Sequence, residues 1–97
     1  MSGGFFNHLQ YNLDQISADI EDEIYYNDSE EVNEYYDKKG NGFSEDTIQE
    51  MKLAVWYLKQ AMVYTHRLDY LLSGDDGEET FHERLKKDLE RLRQLDE

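Results

Sequence analysis

Residues 45–72 read EDTIQEMKLAVWYLKQAMVYTHRLDYLL, and this stretch decides the fold. Ile48, Met51, Val55, Leu58, Met62, Thr65, Asp69 and Leu72 recur at steps of three and four, with Asp69 the one charge in the series. That spacing is a helix with a buried seam. Ser44 is a good N-cap, and Glu45 and Asp46 place anions in the first turn, where the helix dipole favours them. Ser73-Gly74 supplies the stop, because glycine takes a left-handed C-terminal conformation at low cost. The helix so marked is ~42 Å long.

At 100° per residue this helix has two apolar regions. The wide one holds Ile48, Met51, Ala54, Val55, Leu58, Ala61, Met62, Leu68 and Leu72, extended by Leu53, Tyr57, Tyr64 and Leu71. The narrow one is Trp56, Val63 and Tyr70, seven residues apart. Lys52, Lys59 and His66 flank it on one side, and Gln49, Gln60 and Arg67 on the other. This is the place where apolar and basic groups come together, and it is expected to pack an acidic helix of the same chain or a second protein.

Upstream, Phe6, Leu9, Leu13, Ile16, Ile20 and Ile24 predict a helix over about 4–26 with one narrow apolar stripe. Downstream, Phe81, Leu85, Leu89, Leu92 and Leu95 predict a helix over 78–95, opened by Asp76 and Glu79 in the form of a capping box. Between the first two, Asp28-Ser29-Glu30-Glu31 suggests a short extra helix over 29–39, with Val32, Tyr35 and Tyr36 as its apolar side and Lys38-Lys39-Gly40 ending it. The expected architecture is all-α: one domain over 1–97, a small antiparallel bundle of three principal helices with that short helix added. The absence of proline fits long helices. A 97-residue chain buries roughly 65% of its unfolded surface, enough for one modest core.

Charge bounds the function. The formal net charge is −13, which argues against direct binding of nucleic acid or anionic membrane. Residues 1–37 hold ten acids and no Lys or Arg, whereas residues 38–97 hold thirteen acids against ten bases. The acidic third comprises Asp14, Asp19, Glu21, Asp22, Glu23, Asp28, Glu30, Glu31, Glu34 and Asp37. Five of these fall toward the C-terminal end of the first helix, where the dipole disfavours them. The bland reading is a solvated face; the sharper one is a surface for a basic partner. Tyr25, Tyr26, Tyr35 and Tyr36 lie among these carboxylates and offer large apolar area with polar tips, which suits an interface.

Chemistry finds little footing. The chain has no cysteine, which removes disulfides and thiolate sites. Asp37-Lys38-Lys39-Gly40-Asn41-Gly42 imitates the first half of a calcium loop, but Lys39 occupies a ligand position and Ile48 stands where the bidentate glutamate belongs. Glu30-Glu31-Val32-Asn33-Glu34 has the form of the EExxE of helical nucleotide pyrophosphohydrolases, but Glu50 is followed at the third step by Leu53, so the second carboxylate pair is missing. His8, His66 and His82 share no ligand spacing. His66 and Asp69 could orient one another, with no nucleophile in reach by sequence; Asp69 is expected to be satisfied inside the bundle by His66 or a basic side chain. No catalytic residue, metal or cofactor is expected.

The stretch from His66 to Leu89, which opens His-Arg-Leu-Asp-Tyr-Leu-Leu-Ser-Gly-Asp-Asp-Gly-Glu-Glu-Thr-Phe-His-Glu-Arg-Leu, resembles small helical proteins of phages and prophages. The resemblance covers about a quarter of the chain and carries no functional motif. It implies an accessory or counter-defence protein acting in the host cytoplasm, and no apolar run long enough to span a bilayer contradicts that location. The expected function is a non-enzymatic acidic protein that binds and inhibits or regulates a host protein with a basic surface, by nucleic-acid mimicry of the anti-CRISPR or anti-restriction type. The alternative is a structural or adaptor bundle acting through homo- or hetero-oligomerisation, with Trp56, Val63 and Tyr70 as its stripe.

Overall fold

A computed structural model describes residues 4–32, 34–35 and 40–95. Three helices follow one another: α1 (Tyr11–Tyr25), α2 (Glu45–Leu72) and α3 (Glu78–Leu95). The protein is therefore all-α. α2 is the spine. Tyr11 of α1 lies near His66 and Glu21 near Lys59, so α1 runs antiparallel to α2. α3 also runs antiparallel to α2, with Asp88 against Arg67 and Leu92 beside Val63.

α1 and α3 each pack on α2 but not on each other, with no Cα–Cα approach within 8 Å between them. The bundle is thus open along one side. Its radius of gyration is 17.3 Å and its extents are 53 × 28 × 16 Å, whereas a compact domain of this length has a radius near 12–13 Å. Among the described residues the buried apolar side chains are Ile48 and Val55 of α2 and Phe81 of α3.

The ends of α2 follow from local chemistry. Ser44 is extended at the N-cap, although its hydroxyl meets Thr47 Oγ1 at 3.3 Å instead of a helical N–H. At the other end Gly74 adopts φ 81°, while Ser73 N–H donates to Asp69 O and Asp75 N–H to Tyr70 O. This satisfies the last carbonyls of the helix. The capping box expected at Asp76 does not form. α3 begins at Glu78, Phe81 N–H donates to Gly77 O, and the buried Asp76 carboxylate is held by Arg84 (3.1 Å) and faces Arg67 (3.8 Å). A partly desolvated carboxylate gains more from a guanidinium than from one backbone N–H.

α1 starts seven residues later than the periodicity predicts. Residues 4–10 form turns, with Asn7 at φ 54° and His8 at φ 62°, a left-handed conformation that no helix tolerates. The cause lies on α2. Asp69 is 2% exposed and its carboxylate accepts from Gly4 N–H (2.9 and 3.1 Å to its two oxygens), Phe6 N–H (3.1 Å) and Gln10 Nε2 (3.3 Å). Ser73 Oγ accepts from Phe5 N–H at 3.1 Å. Among the described residues Asp69 is thus satisfied by the main-chain donors of the N-terminal turns and by Gln10, and not by His66 or a base. Burial pushes its carboxyl pKa up, but the bonds from Gly4, Phe6 and Gln10 outweigh this and hold it below the ordinary aspartate value.

The predicted stripe of α1 is only partly used. Leu13, Ile20 and Ile24 are half-buried and Ser17 is buried, whereas Leu9 and Ile16 remain exposed. The small Ser17 side chain sits at the helix contact in place of the bulkier Ile16.

Candidate protein-interaction surface

The acidic third of the chain is arranged on α1 and on the connection to α2. α1 ends at Tyr25, where Tyr26 N–H donates to Asp22 O and Asn27 N–H to Ile24 O. Asn27 then fastens the two ends of the connection together. Its buried side chain donates from Nδ2 to Phe43 O (3.0 Å) and accepts at Oδ1 from Phe43 N–H (2.9 Å), and Gly42 N–H donates to Asn27 O (2.8 Å). Gly40 closes the same junction. A Cβ there would lie 2.5 Å from the main-chain oxygens of both Tyr26 and Asn27, so the two strands of chain approach this closely only at glycine. The described residues that follow Asn27, 28–32 and 34–35, are therefore carried on a fixed base.

The short helix expected over 29–39 is absent from its described part. Ser29–Val32 and Glu34–Tyr35 are not helical; Ser29 Oγ accepts from Glu31 N–H at 3.1 Å, and Asp28 takes Asn27 Nδ2 at 3.1 Å. Local side-chain acceptors of this kind offer the backbone an alternative to the helix. Asp37, Tyr36, Lys38, Lys39 and Asn33 lie outside the described residues, and with them the first three residues of the calcium-like run.

The carboxylates of Asp14, Asp19, Glu21, Asp22, Glu23, Asp28, Glu30, Glu31 and Glu34 are all exposed. Among the described residues only Glu21 of the five acids on α1 meets a cation, Lys59 Nζ at 3.2 Å. Asp19 accepts from Gln15 Nε2 (2.9 Å) and Glu23 from Asn41 Nδ2 (2.8 Å), neutral donors that orient a carboxylate without cancelling its charge. Tyr25 (80% exposed) and Tyr35 (75% exposed) stand beside this surface, and Tyr26 packs edge-on against Tyr25 at 4.9 Å. Next to them a cleft of about 500 Å³ is lined by Glu21, Ile24 and Tyr25 of α1 and by Lys52, Val55 and Lys59 of α2.

Trp56, Val63 and Tyr70 are placed differently. All three are half-buried. Val63 lines the groove between α1 and α3 together with Leu13, Leu92 and Leu95. The Tyr70 ring meets His66 edge-on at 5.0 Å and lies 5.3 Å from the Arg67 guanidinium. Two of the bases that flank this stripe are used within the chain: Lys59 by Glu21 of α1, and Arg67 by Asp88 of α3 at 2.7 Å.

Two features of the surface were not foreseen. One is the Asn27 clamp, whose partner lies 16 residues away. The other is the exposure of Leu53, Tyr57, Tyr64 and Leu72, which belong to the wide apolar region of α2. Among the described residues no three His, Asp or Glu side chains are grouped to hold a metal ion, and no helix is long and apolar enough to cross a membrane. No protein-family model, no curated protein and no solved structure matches the chain.

Proposed function

We propose that this chain is a non-enzymatic acidic accessory protein, phage-encoded in origin, that binds and inhibits or regulates a nucleic-acid-handling or defence protein of the host. The observation that carries this reading is the unbalanced carboxylate surface of α1, with Asp14, Asp19, Asp22 and Glu23 exposed and meeting no Lys or Arg among the described residues. Like charges held together at the negative end of a helix repel one another. A basic partner relieves that repulsion, and carboxylates of this density attract it from a distance and accelerate encounter. Tyr25 and Tyr35 supply the contact area that charge alone lacks. Ten acids over residues 1–37 equal the charge on ~17 Å of duplex, about five base pairs, so the mimicry covers a short patch of a nucleic-acid site.

The test is capture of partners from host extract on the immobilised chain at low and high salt, followed by competition with DNA and RNA. The expected partner is basic, is lost steeply as salt rises and is displaced by nucleic acid. Binding indifferent to both salt and nucleic acid would sink the mimicry reading. Changing Asp19, Asp22 and Glu23 together to their amides should slow association with little effect on the helical fold.

The adaptor reading keeps one observation in its favour, the exposure of Leu53, Tyr57 and Tyr64 on α2, whereas the stripe of Trp56, Val63 and Tyr70 that the sequence suggests for it is half-buried.

A further inference from the structure

Ile48, Val55 and Asp69, the buried residues of α2, point to one side of the helix. α1 and α3 grip that side and its flanks, through Lys59 and His66 toward α1 and through Val63 and Arg67 toward α3. Projected at 100° per residue, the opposite side is centred about 170° away from Ile48. It carries Leu53, Tyr57, Gln60, Ala61, Tyr64 and Leu68, with Leu53 41%, Tyr57 61% and Tyr64 44% exposed. No Asp, Glu, Lys or Arg projects from this side between Leu53 and Leu68.

The order of these residues is symmetric. Leu53 and Leu68, Tyr57 and Tyr64, and Gln60 and Ala61 are each equidistant from the midpoint between residues 60 and 61. In an isologous contact a two-fold axis sets residue i against j and j against i, so a patch in this order meets itself with leucine against leucine and tyrosine against tyrosine. We propose that two copies of this chain pair through this side of α2, antiparallel, with the axis passing between Gln60 and Ala61. Leu53 of each copy then meets Leu68 of the other, Tyr57 meets Tyr64, and the small Ala61 lets the backbones approach at the crossing.

The size of this side fits a second copy. Aromatic side chains bury 150–250 Å² each, so Tyr57 and Tyr64 at their exposures leave roughly 200 Å² of surface per copy. With Leu53, Leu68 and the flanks, the pair buries roughly 800–1,000 Å² in all, the size of a weak, concentration-dependent interface. The acids of α1 lie across α2 from the contact, so both acidic surfaces stay open to a partner. The pairing is apolar and opposed only by like-charge repulsion between copies. Added salt screens that repulsion and strengthens the dimer, whereas it weakens a charge-driven partner complex. Failure of one proposal is therefore distinguishable from failure of the other.

The absence of cysteine makes the geometry directly testable. Sedimentation of the full chain up to about 0.5 mM should show a monomer–dimer equilibrium with Kd on the order of tens of micromolar. Tyr57→Glu should weaken it tenfold or more, and Asp19→Asn, across the helix, should leave it no weaker. Under mild oxidation Ala61→Cys should cross-link to itself. Leu53→Cys should not, but should cross-link efficiently when mixed with Leu68→Cys. A chain that is monomeric throughout this range, or a Leu53→Cys variant that cross-links to itself as readily as to Leu68→Cys, overturns the proposal.

Discussion

Replacing Asn27 by alanine tests whether the acidic loop really stands on a fixed base. The Asn27 side chain is buried and both donates to and accepts from the main chain of Phe43, with a third bond to Asp28. A buried hydrogen bond is worth about 1 kcal/mol net, and water can reach the exposed Phe43 to replace part of what is lost. The two Phe43 bonds together therefore set the loss at about 2 kcal/mol. For a domain of this size that lowers Tm by about 8–16 °C. Circular dichroism melts measure it. Asn27→Asp keeps an acceptor for Phe43 N–H, loses the donor to Phe43 O and sets a second carboxylate beside Asp28, so it should fall between wild type and Asn27→Ala. A drop of less than about 3 °C for Asn27→Ala would refute the reasoning, since it would mean that the loop is held by something other than this clamp. A partner complex should weaken in step, because Tyr25 and Tyr35 are presented from the two sides of the junction.

Three further outcomes follow from the same structure. Gly40→Ala should destabilise as much as Asn27→Ala or more, because the added Cβ meets main-chain oxygens that cannot rotate away; the same melts check it. Phe81→Ala removes the buried anchor of α3 and should cost about 3–5 kcal/mol in denaturant unfolding, with α3 amides losing hydrogen-exchange protection first. Asp69→Asn should release the N-terminal turns, read as faster exchange of the Phe6 amide while α2 and α3 stay protected. In the wild type the folded Asp69 carboxyl titrates below the unfolded one, so its contribution is complete above the unfolded value near pH 3.9 and is lost as pH falls through the still lower folded value. Protection of Phe6 should accordingly persist at about pH 5 and disappear in strong acid.

The helices α2 and α3 were legible because their signals are local: unbroken three-four spacing, Ser44 before one, Gly74 after it, and acids in both first turns. The start of α1 was not, because Phe6 and Leu9 fit the period while the carboxylate that unwinds them lies more than sixty residues away. The acidic surface could be read from composition, since exposure is what carboxylates seek by default. The frame of that surface could not. Nothing in the spacing of Asn27, Gly40 and Phe43 announces a junction that only the folded chain brings together. Trp56, Val63 and Tyr70 do lie on one helix, but a helical wheel does not say which side its neighbours take. α1 and α3 settled to either side of Val63, and the free side of α2 fell to Leu53, Tyr57 and Tyr64.

The carboxylate of Asp69 also orders events in time. α2 and α3 are joined by a short turn and meet through near neighbours in sequence, so they can form early and quickly. Gly4, Phe6 and Gln10 leave the ribosome well before Asp69 does, yet have no native acceptor until α2 has been made and folded. The segment synthesised early is thus among the last to be fixed. A mutation that slows α2 should therefore leave the N-terminal turns open to proteases for longer, even where the finished protein is just as stable.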